Sequence, residues 1–165
     1  MAAALLGARL SERGSRLRAS SAGFLGGRVP PPEHAVRSLR AVGLDISSHR
    51  SRAVGPHLLD SADLIVAMTR QHLFDLATAD PPAWPRCFTF AEVLSRGTDV
   101  GPRLPHETLD SWVERLGSGR TRSSLIRLSL ADDVPDPIGQ ERLEFDRVRD
   151  LLEQMTSGLA SLIAH

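Results

Sequence analysis

Asp63-Leu64-Ile65-Val66-Ala67-Met68 is the clearest unbroken apolar run in the chain, and Thr69 closes it. A strand that is apolar on both faces needs cover on both faces, which is how parallel sheets are built. The sequence on either side supplies that cover. Downstream, Thr69 is placed to cap a helix running to about Thr78. Arg86-Cys87-Phe88-Thr89-Phe90 then reads as the next strand, and Ala91 to Arg96 begins a short helix. Upstream, Leu17 to Ala22 reads as a short strand that ends at Gly23 and the Gly26-Gly27 loop. That loop lacks the GxGxxG spacing of a dinucleotide site. Pro30 to Pro32 start a helix over Glu33 to Val42, which Gly43 stops. Leu44 to Ile46 is short and extended. The polar cluster Ser47-Ser48-His49-Arg50-Ser51-Arg52 comes next, with hydroxyls able to cap a helical turn.

Beyond Gly97 the pattern to Leu130 is mixed. It holds a helix around Leu109 to Leu116 carrying Trp112, and a basic loop, Gly117-Ser118-Gly119-Arg120-Thr121-Arg122. That loop either meets an anionic partner or is simply solvated. Gln140 to Ile163 forms one long amphipathic helix with Leu143, Phe145, Val148, Leu151, Leu152 and Met155 on its apolar side. Alternating strands and helices give an α/β fold. No internal repeat interrupts it, and residues 1–165 read as one domain.

Composition narrows the function classes. The 165 residues are 41% hydrophobic and 24% charged, within the range of globular proteins. Formal net charge is zero, so bulk electrostatics favours neither nucleic acid nor an acidic membrane. All twenty basic residues are Arg, a bias to which no function is attached. One cysteine, Cys87, excludes a disulfide framework and a Cys-based zinc cluster. His34, His49, His57, His72, His106 and His165 lack metal-ligand spacing, so no metal is expected.

Asp132-Asp133-Val134-Pro135-Asp136-Pro137-Ile138-Gly139 is where stiff backbone and clustered acids coincide. Pro137 disfavours helical geometry at Asp136, and Pro135 has its own φ fixed, so the Asp136 carboxylate stands on a rigid extended loop. Asp132 and Asp133 are like charges nearby, an arrangement that keeps a carboxyl protonated long enough to act as an acid. The plainer alternative is an acidic turn that caps the last helix.

Met1 to Leu10 is apolar and helix-forming, with Arg9, Arg13, Arg16 and Arg18 around a single Glu12. It has the composition of an organellar presequence but is too short to span a membrane. Alternatively it is the first helix of the domain, with Leu5, Leu6 and Leu10 facing the core. A helix beginning at the first residue has nothing to cap its amides, and the sequence predicts that it has been cut from a longer element.

Taken in order, the Ser20-Ser21-Ala22-Gly23 stretch, the Pro-started helix ending at Gly43, Leu44-Asp45-Ile46-Ser47-Ser48-His49-Arg50-Ser51-Arg52, the Ala62–Met68 strand and Val134-Pro135-Asp136-Pro137 resemble the low-molecular-weight protein tyrosine phosphatase family. The resemblance runs from Met1 to the last helix. It implies a three-layer fold, a four-stranded parallel sheet flanked by helices, with phosphate bound between the loop after the first strand and the first helix. It further implies a cytoplasmic enzyme without cofactor, acting on a phosphorylated protein or a small phosphomonoester. In that family a loop Cys attacks phosphorus, a loop Arg and backbone amides hold the oxygens, and the Asp of Asp-Pro protonates the leaving alcohol. Asp136 matches that acid. Ile138 stands where relatives carry an aromatic at the substrate mouth. Ser21 and His49 match residues that hold the phosphate loop from beneath.

The family's loop, Cys, five residues, Arg, then Ser/Thr-Pro, does not occur in these 165 residues. Cys87 cannot replace it: Val93 stands six residues on, and Phe88 and Phe90 flank a strand-like environment. The first central strand is absent with the loop. The sequence therefore predicts a chain that is unstable or incomplete and inactive as written, whose true start lies upstream. A non-catalytic relative acting as a binding module is the alternative. An arsenate reductase ranks last, because it needs further cysteines.

Overall fold

The computed structural model describes residues 1–121 and 132–164. Arg122 of the expected basic loop lies outside the described residues. In chain order the elements are α1 (Ala2–Glu12), α2 (Glu33–Arg40), α3 (Pro56–Asp60), β1 (Ile65–Ala67), α4 (Arg70–Ala79), a 3₁₀ helix (Pro81–Arg86), β2 (Cys87–Thr89), α5 (Phe90–Val100), α6 (Leu109–Gly117) and α7 (Arg142–Ile163). The backbone gathers into two compact units, chiefly Met1–Gly55 with Pro135–Ala160, and Pro56–Val134 with Ser161–Ile163.

The second unit holds the sheet. β1 and β2 pair in parallel, Ile65 against Cys87, Val66 against Phe88 and Ala67 against Thr89. The connection is α4 followed by the 3₁₀ helix, as a parallel pair requires. Thr69 Oγ1 accepts from His72 N at 3.1 Å and starts α4 as the sequence predicts. The same device ends β2 one residue earlier than expected. Thr89 Oγ1 accepts from Glu92 N at 3.1 Å, so Phe90 opens α5 instead of finishing the strand. Phe88, Phe90, Val93, Trp112 and Leu116 are buried, each such side chain stabilising the fold by about 1.5–3 kcal/mol. Trp112 Nε1 donates to Gly101 O at 3.0 Å, so the indole is buried with its polar edge satisfied. Two short elements were not legible in the sequence. α3 is a single five-residue turn, and the 3₁₀ helix carries three prolines, a composition that reads as loop.

The expected solvated or anion-meeting basic loop is corrected at Arg120. Its guanidinium makes a two-pronged bond to Glu92, Nε to Oε1 at 2.6 Å and Nη2 to Oε2 at 3.0 Å. It also lies 3.8 Å from the Trp84 ring centroid and 4.1 Å from that of Phe88. Only 3% of the Arg120 side chain is exposed. The cation is a core residue because the two rings and the carboxylate together replace its water.

The first unit is helical. α1 buries Leu5 and Leu10, with Leu6 half-buried. Its cap is the Met1 carbonyl, which accepts from Ala4 N and Leu5 N, with no side-chain bond. Arg9 Nη2 reaches Glu153 on α7 at 2.7 Å. α2 buries Ala35, Ser38 and Leu39, and Ser38 Oγ donates to Phe145 O of α7 at 3.3 Å. On α7 Phe145, Val148 and Leu152 are buried and Leu151 and Met155 half-buried, as predicted. Leu143 is the exception at 60% exposed, since two residues from Phe145 and nine from Leu152 it falls on the opposite side of the helix.

Two predicted extended segments differ. Residues 15–20 alternate half-buried and exposed, the period of extended chain, yet the first described pairing is the parallel bridge of Gly23 with Ala53. Gly23 N donates to Arg52 O at 3.0 Å and Val54 N to Gly23 O at 2.8 Å. Leu44 is not strand: its amide returns to Leu39 O at 3.0 Å with Gly43 at φ +80°, the left-handed closure of a helix end. The fold is thus α/β with parallel pairing, but the described sheet has two strands where the resemblance implied four. No described helix is long and apolar enough to cross a membrane.

Candidate functional site

Asp136 is exposed, and its Oδ1 accepts from Ile138 N at 3.0 Å. This is the local turn an Asp favours two residues before an amide. Gln140 N then donates to Pro137 O at 2.9 Å, and Gly139 takes φ +82°. The prolines and these two bonds leave the segment few alternative conformations. Ile138, next to Asp136, is 67% exposed. Asp133 Oδ1 accepts from Arg70 N at 2.7 Å, placing its charge on the N-terminus of α4.

Ser21 and His49 come together. They line a concavity of about 190 Å³ with Ala22, Gly23, Leu25, Ser51 and Arg52. The pairing of Gly23 with Ala53 carries Ser21 toward the 49–52 segment. Arg52 Nε seals the junction by donating to Ser21 O at 2.8 Å. The turn before it is held by Ser47 N to Asp45 Oδ1 at 2.8 Å and His49 N to Ile46 O at 2.9 Å. The Ser47 amide, then Arg40, holds the Asp45 carboxyl below its ordinary range. Arg50 folds back onto the carbonyls of Ser47 and His49. The alternative expected for these residues, burial with local satisfaction, does not apply: Ser21 and His49 are both exposed, and neither side chain is hydrogen-bonded to a described residue.

The Ser51 hydroxyl joins two loops instead of capping a helical turn. Ser51 Oγ accepts from Val29 N at 2.9 Å and ties its own loop to the one before α2. Ser51 and Arg52 are the cavity residues that sequence reasoning missed. Their signal was the Ser-x-His-Arg-Ser-Arg run itself, where only the first members drew a role. No hydrogen bond or ion pair joins Asp136 to this cavity among the described residues.

Cys87 is in β2 and wholly buried. Burial pushes its thiol up to about 11, although the charges of Arg120 and Arg86 pull the other way. A thiol so placed is protonated at neutral pH and out of reach of a substrate, which is the chemistry of a core residue.

The first 97 residues match the family model described as low molecular weight phosphotyrosine protein phosphatase. No curated protein matches the chain. Among solved structures, a YwlE mutant from Bacillus subtilis is 24% identical with a TM-score of 0.72, over 97% of this chain and 86% of that one. A low molecular weight protein tyrosine phosphatase from T. tengcongensis is 24% identical with a TM-score of 0.72, over 97% and 87%. The YwlE arginine phosphatase from Geobacillus stearothermophilus is 20% identical with a TM-score of 0.68, over 96% and 82%. At these identities the structures speak to the fold alone, whereas the family match covers more than half of the chain. The chain belongs to the low molecular weight phosphotyrosine protein phosphatase family.

Proposed function

We propose that this chain carries the acid and the loop-supporting residues of a phosphomonoester hydrolase, and that the 165 residues alone do not turn over. The observation that carries the second half is Cys87, the sole thiol, buried and pushed to about 11. With Val93 six residues on, it has no phosphate-binding Arg in register. A Cys-x5-Arg loop must be supplied for chemistry to occur. Ser21 and His49 would then donate to that loop from beneath.

The step rests on the groups named. The loop thiolate forms a bond to phosphorus as the ester P–O bond breaks, and Asp136 gives its proton to the departing oxygen. Water then attacks the phosphocysteine, releases the thiolate, and returns a proton to Asp136. Because Oδ1 already accepts from Ile138 N, Oδ2 is the oxygen available to carry that proton. Ile138 offers an aliphatic contact at the substrate mouth in place of an aryl stack. The substrate class is a phosphorylated protein side chain or a small phosphomonoester. Solved relatives are named for both tyrosine and arginine phosphatase activity.

Nitrophenyl phosphate hydrolysis tests the reading. The unaltered chain is expected to stay at the buffer rate. A fusion or peptide providing an apolar strand with Cys-x5-Arg-Ser/Thr-Pro is expected to restore turnover that depends on the added Cys. Turnover by the unaltered chain that Cys87→Ser abolishes would refute it.

A further inference from the structure

The first 55 residues carry nine arginines against three carboxylates, Glu12, Glu33 and Asp45. All three carboxylates are already ion-paired, with Arg9, Arg37 and Arg40 respectively. Arg50 and Arg52 make no ion pair with a described residue, and they stand in the segment that lines the Ser21–Arg52 cavity. No carboxylate lines that cavity.

Each of its polar side chains has a group left to donate outward. Arg52 Nε is fixed on Ser21 O at 2.8 Å, which orients the guanidinium plane and leaves both Nη groups unpartnered among the described residues. Ser51 Oγ already accepts from Val29 N, so its hydroxyl proton is left to donate outward. The Ser21 hydroxyl and the His49 imidazole make no bond to a described residue. A planar fork beside two hydroxyls and an imidazole complements the oxygens of a tetrahedral anion. At about 190 Å³ the cavity is smaller than the roughly 300–1,000 Å³ of pockets that take drug-sized ligands. A small anion fits where a nucleotide does not. Leu25, 88% exposed and also lining the cavity, offers an apolar rim.

We propose that the chain binds a small tetrahedral oxyanion, inorganic phosphate or the phosphoryl end of a monoester, in the cavity of Ser21, His49, Ser51 and Arg52. This goes beyond the hydrolase reading, because it needs neither a thiolate nor Asp136. A catalytic loop seated on Ser21 and His49 would compete with the anion for the same donors.

The test is titration of the ¹⁵N-labelled 165-residue chain with inorganic phosphate and, separately, phenyl phosphate, following the amides of residues 21–23 and 49–52. Saturable shifts are expected with both. Arg52→Gln should weaken binding by about tenfold or more and Ser21→Ala by about threefold, the loss of charge-assisted and single hydrogen bonds. Ser21→Ala and His49→Gln alter exposed side chains without internal bonds, so they test the site even if Arg52→Gln disturbs the fold. Leu25→Ala should weaken phenyl phosphate alone, which separates an ester ligand from free phosphate. Equal shifts from chloride at matched ionic strength would overturn the proposal. So would no saturable shift up to tens of millimolar phosphate, or unchanged affinity in both Ser21→Ala and His49→Gln. Turnover by a loop-complemented chain without phosphate binding in the unaltered one would sink this proposal and leave the hydrolase reading standing.

Discussion

Replacing Arg120 by Met removes a cation whose side chain is 3% exposed from a carboxylate, Glu92, that is 9% exposed. Burial lowers the guanidinium's pKa while Glu92 raises it, and burial is the larger effect. Arginine still remains charged, because its ordinary value lies far above neutrality. The substitution therefore leaves Glu92 as an uncompensated buried charge, at a cost of about 3–5 kcal/mol. Loss of the stacking on Trp84 and Phe88 adds about 0.5–2 kcal/mol. Against a total stability of about 5–15 kcal/mol this is severe, equivalent to a melting point lower by about 7–28 °C. Glu92→Gln with Arg120→Met removes both charges and should recover a large part of the loss. Urea unfolding followed by tryptophan fluorescence and by circular dichroism, on both single variants and the pair, measures the coupling. A cost below about 1 kcal/mol for Arg120→Met, or strictly additive singles, would refute the buried pair.

Cys87 should resist iodoacetamide in the folded chain from neutral pH almost to its raised value of about 11 and react promptly in urea, which mass spectrometry reads directly. The Asp63 carboxyl is raised, first by burial and then by Asp110. The folded state therefore holds its proton more tightly than the unfolded chain, and the stability this gives at acid pH is lost as pH rises through the raised value. Asp63→Asn should flatten that part of the stability profile and raise stability modestly at neutrality, as denaturation at several pH values would show. Gly97→Ala would place a Cβ 2.5 Å from Leu162 Cδ1. It should destabilise despite a helix-propensity gain of about 1 kcal/mol, and Leu162→Ala in the same chain should relieve it. In a loop-complemented chain Asp136→Asn should slow esters with poor leaving groups by about a hundred- to ten-thousandfold and nitrophenyl phosphate far less, by single-turnover kinetics.

The elements legible in the sequence were those with a long period or a cap. The apolar run at 63–68 holds a strand, but only over Ile65–Ala67 and buried only at Ala67, while Thr69 caps the helix after it as its position suggests. Phe90 goes the other way from its sequence reading because apolar character alone does not separate the end of a strand from the start of a helix. The Thr89 hydroxyl decides it, by taking the Glu92 amide. Leu17 to Ala22 shows the opposite limit. Its residues have the right alternation for a strand, but a strand is defined by a partner's backbone, and alternation carries no information about one.

The site divides along the same line. The stiff setting of Asp136 was legible because two prolines and its own turn to the Ile138 amide are local, written within three residues. Asp133 was not, because its partner, the Arg70 amide, lies 63 residues away. The cavity depends on contacts of that second kind: Gly23 against Ala53, Arg52 against the Ser21 carbonyl, Ser51 against the Val29 amide. Each uses a backbone group on one side, and any residue type supplies a backbone group, so no pattern of side chains announces it. The sequence does carry the consequence of those contacts. Once backbone groups do the joining, the hydroxyls, imidazole and guanidinium at the junction are left to face outward together. A run as polar as Ser47 to Arg52 tolerates that exposure without a hydrophobic penalty, which makes it suited to a surface whose donors meet another group rather than each other.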